Sequence, residues 1–190
     1  NVIEGSATKP LAFLAHYPGC GVGGHCIPVD PYYLIAYAKQ NGFDHKFLSL
    51  ARKINNRMSD FTAELVRDVL REQGVPLPRA RIALLGLAYK PDIDDCRESP
   101  SFAIVKSLEK MGARVQTFDP FVPHKSSAAS LGEAVRNAHV AVLATAHQAF
   151  RTLTPEFFLK EKVYALVDGR NCLPKEDFIR AGINYKGIGR

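Results

Sequence analysis

Gly19, Gly21 and Gly24 stand in the spacing G-x-G-x-x-G within "PGCGVGGHCIPVDP" (residues 18–31), and the acidic Asp44 lies twenty positions beyond the last glycine. The stretch has two chemical readings. One is the pyrophosphate cradle of a dinucleotide site, and the other is a glycine-rich pocket built around Cys26. A cradle needs a buried strand before the glycines and a helix that begins within them, because the helix N-terminus holds the pyrophosphate. Here "PLAFLAHYP" ends in proline, and Pro28 and Pro31 fall where the helix interior would lie, at roughly 3 kcal/mol each. The dinucleotide reading is set aside, and the Asp44 spacing is taken as coincidence.

The pocket reading makes Cys26 the centre of interest. Glycines let a main chain approach a ligand closely and leave N–H groups free to face an oxyanion. A cysteine there can be a nucleophile, its thiolate favoured by a neighbour such as His25, with Asp30 acting as a base or orienting water. It can equally be a small buried hydrophobe, the common fate of a free thiol. A hydrolase built on Cys26 and His25 ranks low, because adjacent residues in an extended loop point apart and no third orienting group is evident. His16, Cys20, His25 and Cys26 match neither C-x-x-C nor Cys/His finger spacing, so no metal is expected.

These residues need elements to hold them. Residues 1–36 are rich in glycine and proline and read as a functional loop segment. From Asp44, apolar residues recur in steps of three and four through Phe47, Leu50, Ile54, Met58, Phe61, Leu65 and Val69, with Arg52, Lys53, Asn56, Arg57 and Asp60 on the other face. This predicts one long helix, stopped by Gly74, Pro76 and Pro78. A rod with one apolar stripe must lie against something large. That is either the rest of its own chain or a second copy across a dimer interface. From Arg79 onward strands and helices alternate. "IALLGL", "RVQTFDP", "VAVLAT" and "YALVDGR" read as strands separated by helical stretches, with "KEDFIRAG" a last short helix. The fold class is therefore α/β: a long central helix followed by a Rossmann-like parallel sheet with helices on both faces, whose ligands bind beyond the carboxyl ends of the strands.

Composition narrows the function classes. With 46% hydrophobic and 23% charged residues the chain can bury a sizeable core. No apolar run reaches the ~20 residues that span a bilayer, and the N-terminus has no signal-peptide pattern, so a cytoplasmic protein with no membrane partner is expected. The four cysteines are too widely spaced for a disulfide framework and read as free thiols. A net charge of +6 suggests an anionic partner. Scattered basic residues and the lack of a nucleic-acid motif favour a small acidic molecule such as a nucleotide over nucleic acid.

Three motifs in order, "GVGGHCIPVDPYYL" (21–34), "GLAYKPDIDDCRESPS" (86–101) and "VDGRN" (167–171), around a long helix, resemble the UDP-glucose/GDP-mannose dehydrogenase family. The "HCIPVDPYYL" version resembles its UDP-N-acetylhexosamine 6-dehydrogenase branch. The resemblance implies oxidation of a nucleotide sugar's C6 alcohol to a carboxylate in two hydride transfers to NAD⁺. It makes Cys26 the nucleophile, Asp30 the assisting acid–base, and Gly23 and Gly24 backbone that meets the substrate. Lys90, with Tyr89 beside it, and the "DGR" Arg170 would contact the UDP-sugar. Arg97 would reach NAD; read alone, it is equally an ion-pair partner for Asp94 or Asp95. Val29 stands where UDP-glucose enzymes usually carry lysine, which disfavours UDP-glucose. Cys20 and Cys96 are read as structural. The implied organisation is an active-site segment (1–36) ending an absent NAD domain, a central dimerisation region (37–78) forming a homodimer, and a UDP-sugar-binding domain (79–190). The family's catalytic lysine and asparagine have no counterpart here, so these 190 residues alone are expected to be inactive. A non-catalytic nucleotide-binding or dimerisation module is the alternative.

Overall fold

The computed structural model describes residues 2–189. After a short helix α1 (Val2–Ala7), the chain runs without helix or strand to α2 (Asp30–Gln40) and the long α3 (Lys46–Glu72). Five strands follow: β1 (Arg81–Leu85), β2 (Arg114–Phe118), β3 (Val140–Leu143), β4 (Ala165–Asp168) and β5 (Asn184–Gly187). They form one sheet in the order β2-β1-β3-β4-β5, every pair parallel. Between them lie α4 (Pro100–Lys110), α5 (Leu131–Val135), α6 (Gln148–Arg151), α7 (Pro155–Lys160) and α8 (Lys175–Arg180).

Successive strand residues serve opposite faces. Ile82 and Leu84 join Val140, Val142 and Val167 in a core with Val66, Val69 and Leu70 of α3 and with Ile104 and Leu108 of α4. Ala83 and Leu85 face the other way, into a core with Phe150, Phe158 and Phe178 of α6, α7 and α8. Helices thus cover both faces, as the strand–helix alternation requires. Local signals set the helix starts. Ser99 Oγ accepts from the Ser101 N–H (3.4 Å) and Ser130 Oγ from Glu133 (3.2 Å), while Pro100 and Pro155 occupy first-turn positions whose N–H would be unpaired anyway.

The structure differs from the sequence expectations at four points. A helix does begin at Asp30, because Pro31 sits in its first turn and not its interior, where the missing N–H costs nothing. The fifth strand escaped the sequence reading because "NYKG" is short and polar, as suits a sheet edge. The apolar stripe of α3 divides. Its C-terminal half buries Ala63, Val66, Val69 and Leu70, but Phe47, Leu50 and Ile54 are 81%, 54% and 56% exposed. The helix is 27 residues, roughly 40 Å, and overruns the sheet it covers. Arg52, read as a solvent-face charge, is instead buried.

The loop after β1 is fixed from beneath by Asp119, fully buried at the end of β2. Its Oδ2 accepts from the N–H groups of Leu87 (2.6 Å) and Ala88 (2.8 Å) and from His147 Nε2 (3.0 Å), and Oδ1 from Phe121 (2.8 Å). His147 Nδ1 accepts from the Asp92 N–H (2.8 Å), so Nε2 carries the proton. Burial alone would raise the Asp119 pKa, but the bonds from His147, Ala88, Leu87 and Phe121 outweigh it and hold the carboxyl at about 2. A carboxylate depressed below its unfolded value of 3.8 stabilises the fold above about pH 4, and that contribution, about 2 kcal/mol, is lost as pH falls towards 2. Asp119→Asn should cost about 2–3 kcal/mol at pH 7 and flatten the acid limb of the stability curve, measurable by urea unfolding between pH 7 and pH 2.

Candidate functional site

The chain passes from β1 to β2 on one side and returns to β3 on the other, so the carboxyl ends of β1 and β3 flank a switch point where α/β sheets bind ligands. The loop 86–99 leaves β1 there. Gly86 has φ +99°, and a Cβ on it would lie 2.4 Å from Thr145 Cβ, so only glycine permits this approach. Thr145 Oγ1 donates to Ala88 O (2.6 Å), and the Tyr89 N–H donates to Asp95 O (3.0 Å). Arg97 donates to the Asp95 carboxylate from Nε (3.0 Å) and Nη2 (2.6 Å), the ion pair that its sequence neighbours allowed. The side-chain and backbone bonds from Arg97 hold Asp95 at about pKa 2. In return Asp95 raises the Arg97 pKa, with smaller contributions from Tyr89 and Cys26, which lie within the field of the guanidinium.

The glycine-rich loop rests on this platform. Gly24 N–H donates to Arg97 O (3.0 Å). A Cβ on Gly23 would lie 2.6 Å from Tyr89 Cβ and 2.8 Å from Glu98 O, and one on Gly24 would lie 2.9 Å from the Tyr89 ring. At the other end, Gly19 abuts Arg170 Nη1, and Cys20 is buried with Sγ 3.5 Å from Gly169 O. The glycines are therefore filled by protein. Gly23 and Gly24 are buried, and the Gly24 N–H, expected to be free for an oxyanion, is taken.

Cys26, two residues beyond Gly24, is exposed. Its carbonyl accepts the N–H groups of Val29 (3.0 Å) and Asp30 (2.8 Å), which sets Asp30 one turn beyond the thiol at the start of α2. Both Asp30 and Lys90 are exposed, Lys90 next to the half-buried Tyr89. Arg170 sits apart from this group, beyond Gly19. Its N–H donates to Asp168 Oδ1 (3.0 Å) and its Nε to Ala144 O (2.7 Å), and it lines a cleft of about 1010 Å³ with Tyr17, Arg151, Asn171 and Lys175. Arg151 and Lys175 were not singled out from the sequence, since they reach the cleft from α6 and α8 with no motif to mark them. Asp168, also buried, accepts from Leu173 N–H and Tyr185 O–H. Among the described residues no cluster is placed to hold a metal ion, and no helix is long and apolar enough to cross a membrane.

A five-stranded parallel sheet covered by helices on both faces, with a cysteine loop laid across its carboxyl edge, defines a Rossmann-like α/β domain. The chain belongs to the UDP-glucose/GDP-mannose dehydrogenase family: residues 1–57 match the family's central domain and residues 83–175 its UDP binding domain. It is 38% identical over 189 residues to a UDP-N-acetyl-D-mannosamine dehydrogenase of Pyrococcus horikoshii, covering 99% of this chain and 43% of that protein. A UDP-glucose 6-dehydrogenase of Pseudomonas aeruginosa is 34% identical over 197 residues, covering 92% of this chain and 41% of the relative. The solved structure of the Pyrococcus horikoshii UDP-D-ManNAc dehydrogenase superposes with a TM-score of 0.89 at 37% identity, over 100% of this chain and 43% of that one. An NDP-N-acetyl-D-galactosaminuronic acid dehydrogenase from Methanosarcina mazei gives 0.88 at 32%, over 98% and 43%. The chain thus spans less than half the length of the relatives it matches.

Burial raises the thiol pKa of Cys20, and that of Cys172 to about 12. Thiolate, not thiol, reacts. At pH 8 Cys26 should be alkylated by iodoacetamide at least about tenfold faster than Cys20 or Cys172, read by peptide mass spectrometry of the folded protein.

Proposed function

We propose that these residues form the substrate side of an NAD-dependent UDP-N-acetylhexosamine 6-dehydrogenase acting in the cytoplasm, with residues 1–36 an active-site segment, 37–78 a dimerisation region and 79–190 the UDP-sugar-binding domain. The observation that carries this reading is an exposed cysteine held at the carboxyl edge of the sheet in a chain of this family. The dehydrogenases named above as relatives support the substrate class.

In this reading the sugar nucleotide lies over the loop after β1. Lys90 meets the diphosphate and Tyr89 flanks the sugar, while Arg170 contacts the sugar nucleotide from its own cleft beyond Gly19, its guanidinium suited to two parallel hydrogen bonds. Gly23 and Gly24 act through the loop they anchor. Cys26 Sγ adds to C6 at the aldehyde level, forming an S–C bond as the carbonyl oxygen takes the electron pair and then a proton. Oxidation of that thiohemiacetal leaves a thioester. Water attacks it, the Asp30 carboxylate takes the water's proton, and the S–C bond breaks with Cys26 leaving as thiolate. Sulfur serves because the same atom must attack and depart. NAD⁺ would supply the hydride acceptor at each oxidation level, two molecules being consumed in succession per sugar oxidised to the carboxylate. Arg97 is exposed, protonated and near Cys26, and so fits a cofactor phosphate. Gly19 and Gly24 are occupied by Arg170 and Tyr89, so the main dinucleotide cradle is assigned outside these residues.

Phe47, Leu50 and Ile54, with Tyr17 and Met58, border an apolar groove of about 490 Å³. This uncovered half of α3 is the surface through which the homodimer forms. Ile54→Asp should shift the sedimentation coefficient from dimer to monomer.

Calorimetric titration tests the ligand reading. UDP and UDP-N-acetylglucosamine should bind this chain while NAD⁺ does not, and Lys90→Ala should weaken UDP about tenfold. Binding of NAD⁺ alone would overturn it. The chain alone should reduce no NAD⁺. In the protein extended by the family's NAD-binding domain, Cys26→Ser should abolish oxidation while UDP-sugar still binds. An unchanged oxidation rate there would overturn the cysteine mechanism, and absence of oxidation in the parent protein too would leave a binding and dimerisation module.

A further inference from the structure

Behind the Cys26 loop lies a second cavity of about 650 Å³, bounded by Val22 and Val29 of the loop, Tyr32 of α2, Arg52 and Asn56 of α3, and Ser99 at the start of α4. Arg52 is 8% exposed. Its Nη2 donates to Asn56 Oδ1 (3.0 Å), and its guanidinium lies 5.3 Å from the centre of the Tyr32 ring. Its Nε is buried with no acceptor, and among the described residues no carboxylate pairs with it. Glu98 borders the cavity but is exposed and forms no ion pair with Arg52.

A buried guanidinium met only by one amide oxygen and by Tyr32, through its ring face and hydroxyl, is unusual. Its five donors lose hydration on burial, and a neutral amide returns only part of that loss. An anion would return most of it. The rest of the wall suits one: Asn55 supplies an amide, and α4, an 11-residue helix, presents its N-terminus, where the Ser101 N–H is taken by Ser99 Oγ. The Ser59 hydroxyl already donates to the Cys20 and Pro100 carbonyls. We propose that this cavity is a binding site for a small oxyanion of the phosphate class, held by Arg52 and the N-terminus of α4. It is independent of the catalytic reading, and Cys26 is not among the residues that bound it. It also adjoins two ties, one from α3 to the Gly21–Val29 loop and one from α3 to α2. Asn55 Oδ1 accepts from the Val22 N–H (3.0 Å), and Asn56 Nδ2 donates to Tyr32 Oη (2.9 Å), so an occupant contacts the segments on both sides of Cys26.

The test uses the ¹⁵N-labelled 190-residue protein and follows the arginine Nε–H resonances during titration with potassium phosphate, against potassium chloride at matched ionic strength. The resonance missing from Arg52→Lys identifies Arg52. It should shift saturably with phosphate, at a midpoint on the order of 1 mM, and not with chloride. Asn56→Asp places a carboxylate where Arg52 already donates, so it should raise the melting temperature and weaken the phosphate response at least about tenfold. That variant also decides the matter if Arg52→Lys does not fold. An equal shift in chloride, or an undiminished phosphate response in Asn56→Asp, would overturn the site. So would a shift produced by protein concentration alone, which would mean that a second copy's carboxylate fills the cavity. Lys90→Ala should respond to phosphate as the parent does, and loss of the response there would place the anion at the UDP face instead. Failure of UDP binding with the Arg52 response intact would sink the catalytic reading and leave this site standing.

Discussion

The whole carboxyl edge of the sheet depends on one buried carboxylate. Asp119 gathers two successive main-chain N–H groups of the loop after β1, one from its own turn and the proton of His147. These are donors that a buried loop could not otherwise satisfy, and leaving them unpaired would cost more than the carboxylate's desolvation. With that loop set, Tyr89 and the Glu98 carbonyl stand where Gly23 and Gly24 must meet them. The position of Cys26 follows from that meeting. A charge at the end of β2 thus decides where a thiol from a distant stretch of chain is presented, with no direct contact between them.

In the glycine loop, residue type pointed to close approach without saying what approaches. Close approach does require the absence of a Cβ at Gly23 and Gly24, but what approaches is the protein's own Tyr89 and the backbone of Glu98 and Ser99. Sequence spacing reports that something comes close and not what. The strand–helix alternation was legible because buried parallel strands are unbroken apolar runs, and β5 was not because an edge strand need not be one. The stop of α3 just before Gly74 was legible because it is local chemistry.

What periodicity could not convey is how far the covering partner extends. The α3 stripe is continuous in sequence, yet only its second half finds the sheet. Arg52 shows the converse. It lies on the polar side of the stripe, where a charge normally meets water, but α2 folds back so that Tyr32 covers it. Neither outcome is encoded within the helix. Both are decided by tertiary neighbours that lie outside any window of periodicity, which is why the candidate site was legible in its motifs and not in its supporting residues.

The geometry of α3 has a mechanical side. The helix is clamped from Ala63 to Leu70 between the sheet and α4, while the Lys46–Ile54 end stands free of the sheet. Hydrogen-bonded helices resist bending, so such a rod behaves as a lever whose fulcrum is the clamped half. A tilt of about 5° at the fulcrum would carry the free end, some twelve or more residues away, through roughly 2 Å. The loop bearing Cys26 is tied to that arm at Asn55, part of the way along it, and α2 just beyond the loop is tied at Asn56. Any force applied to the free end would therefore reach the thiol reduced in amplitude but unchanged in direction, as displacement of a shaft and not as diffusion of strain through a core.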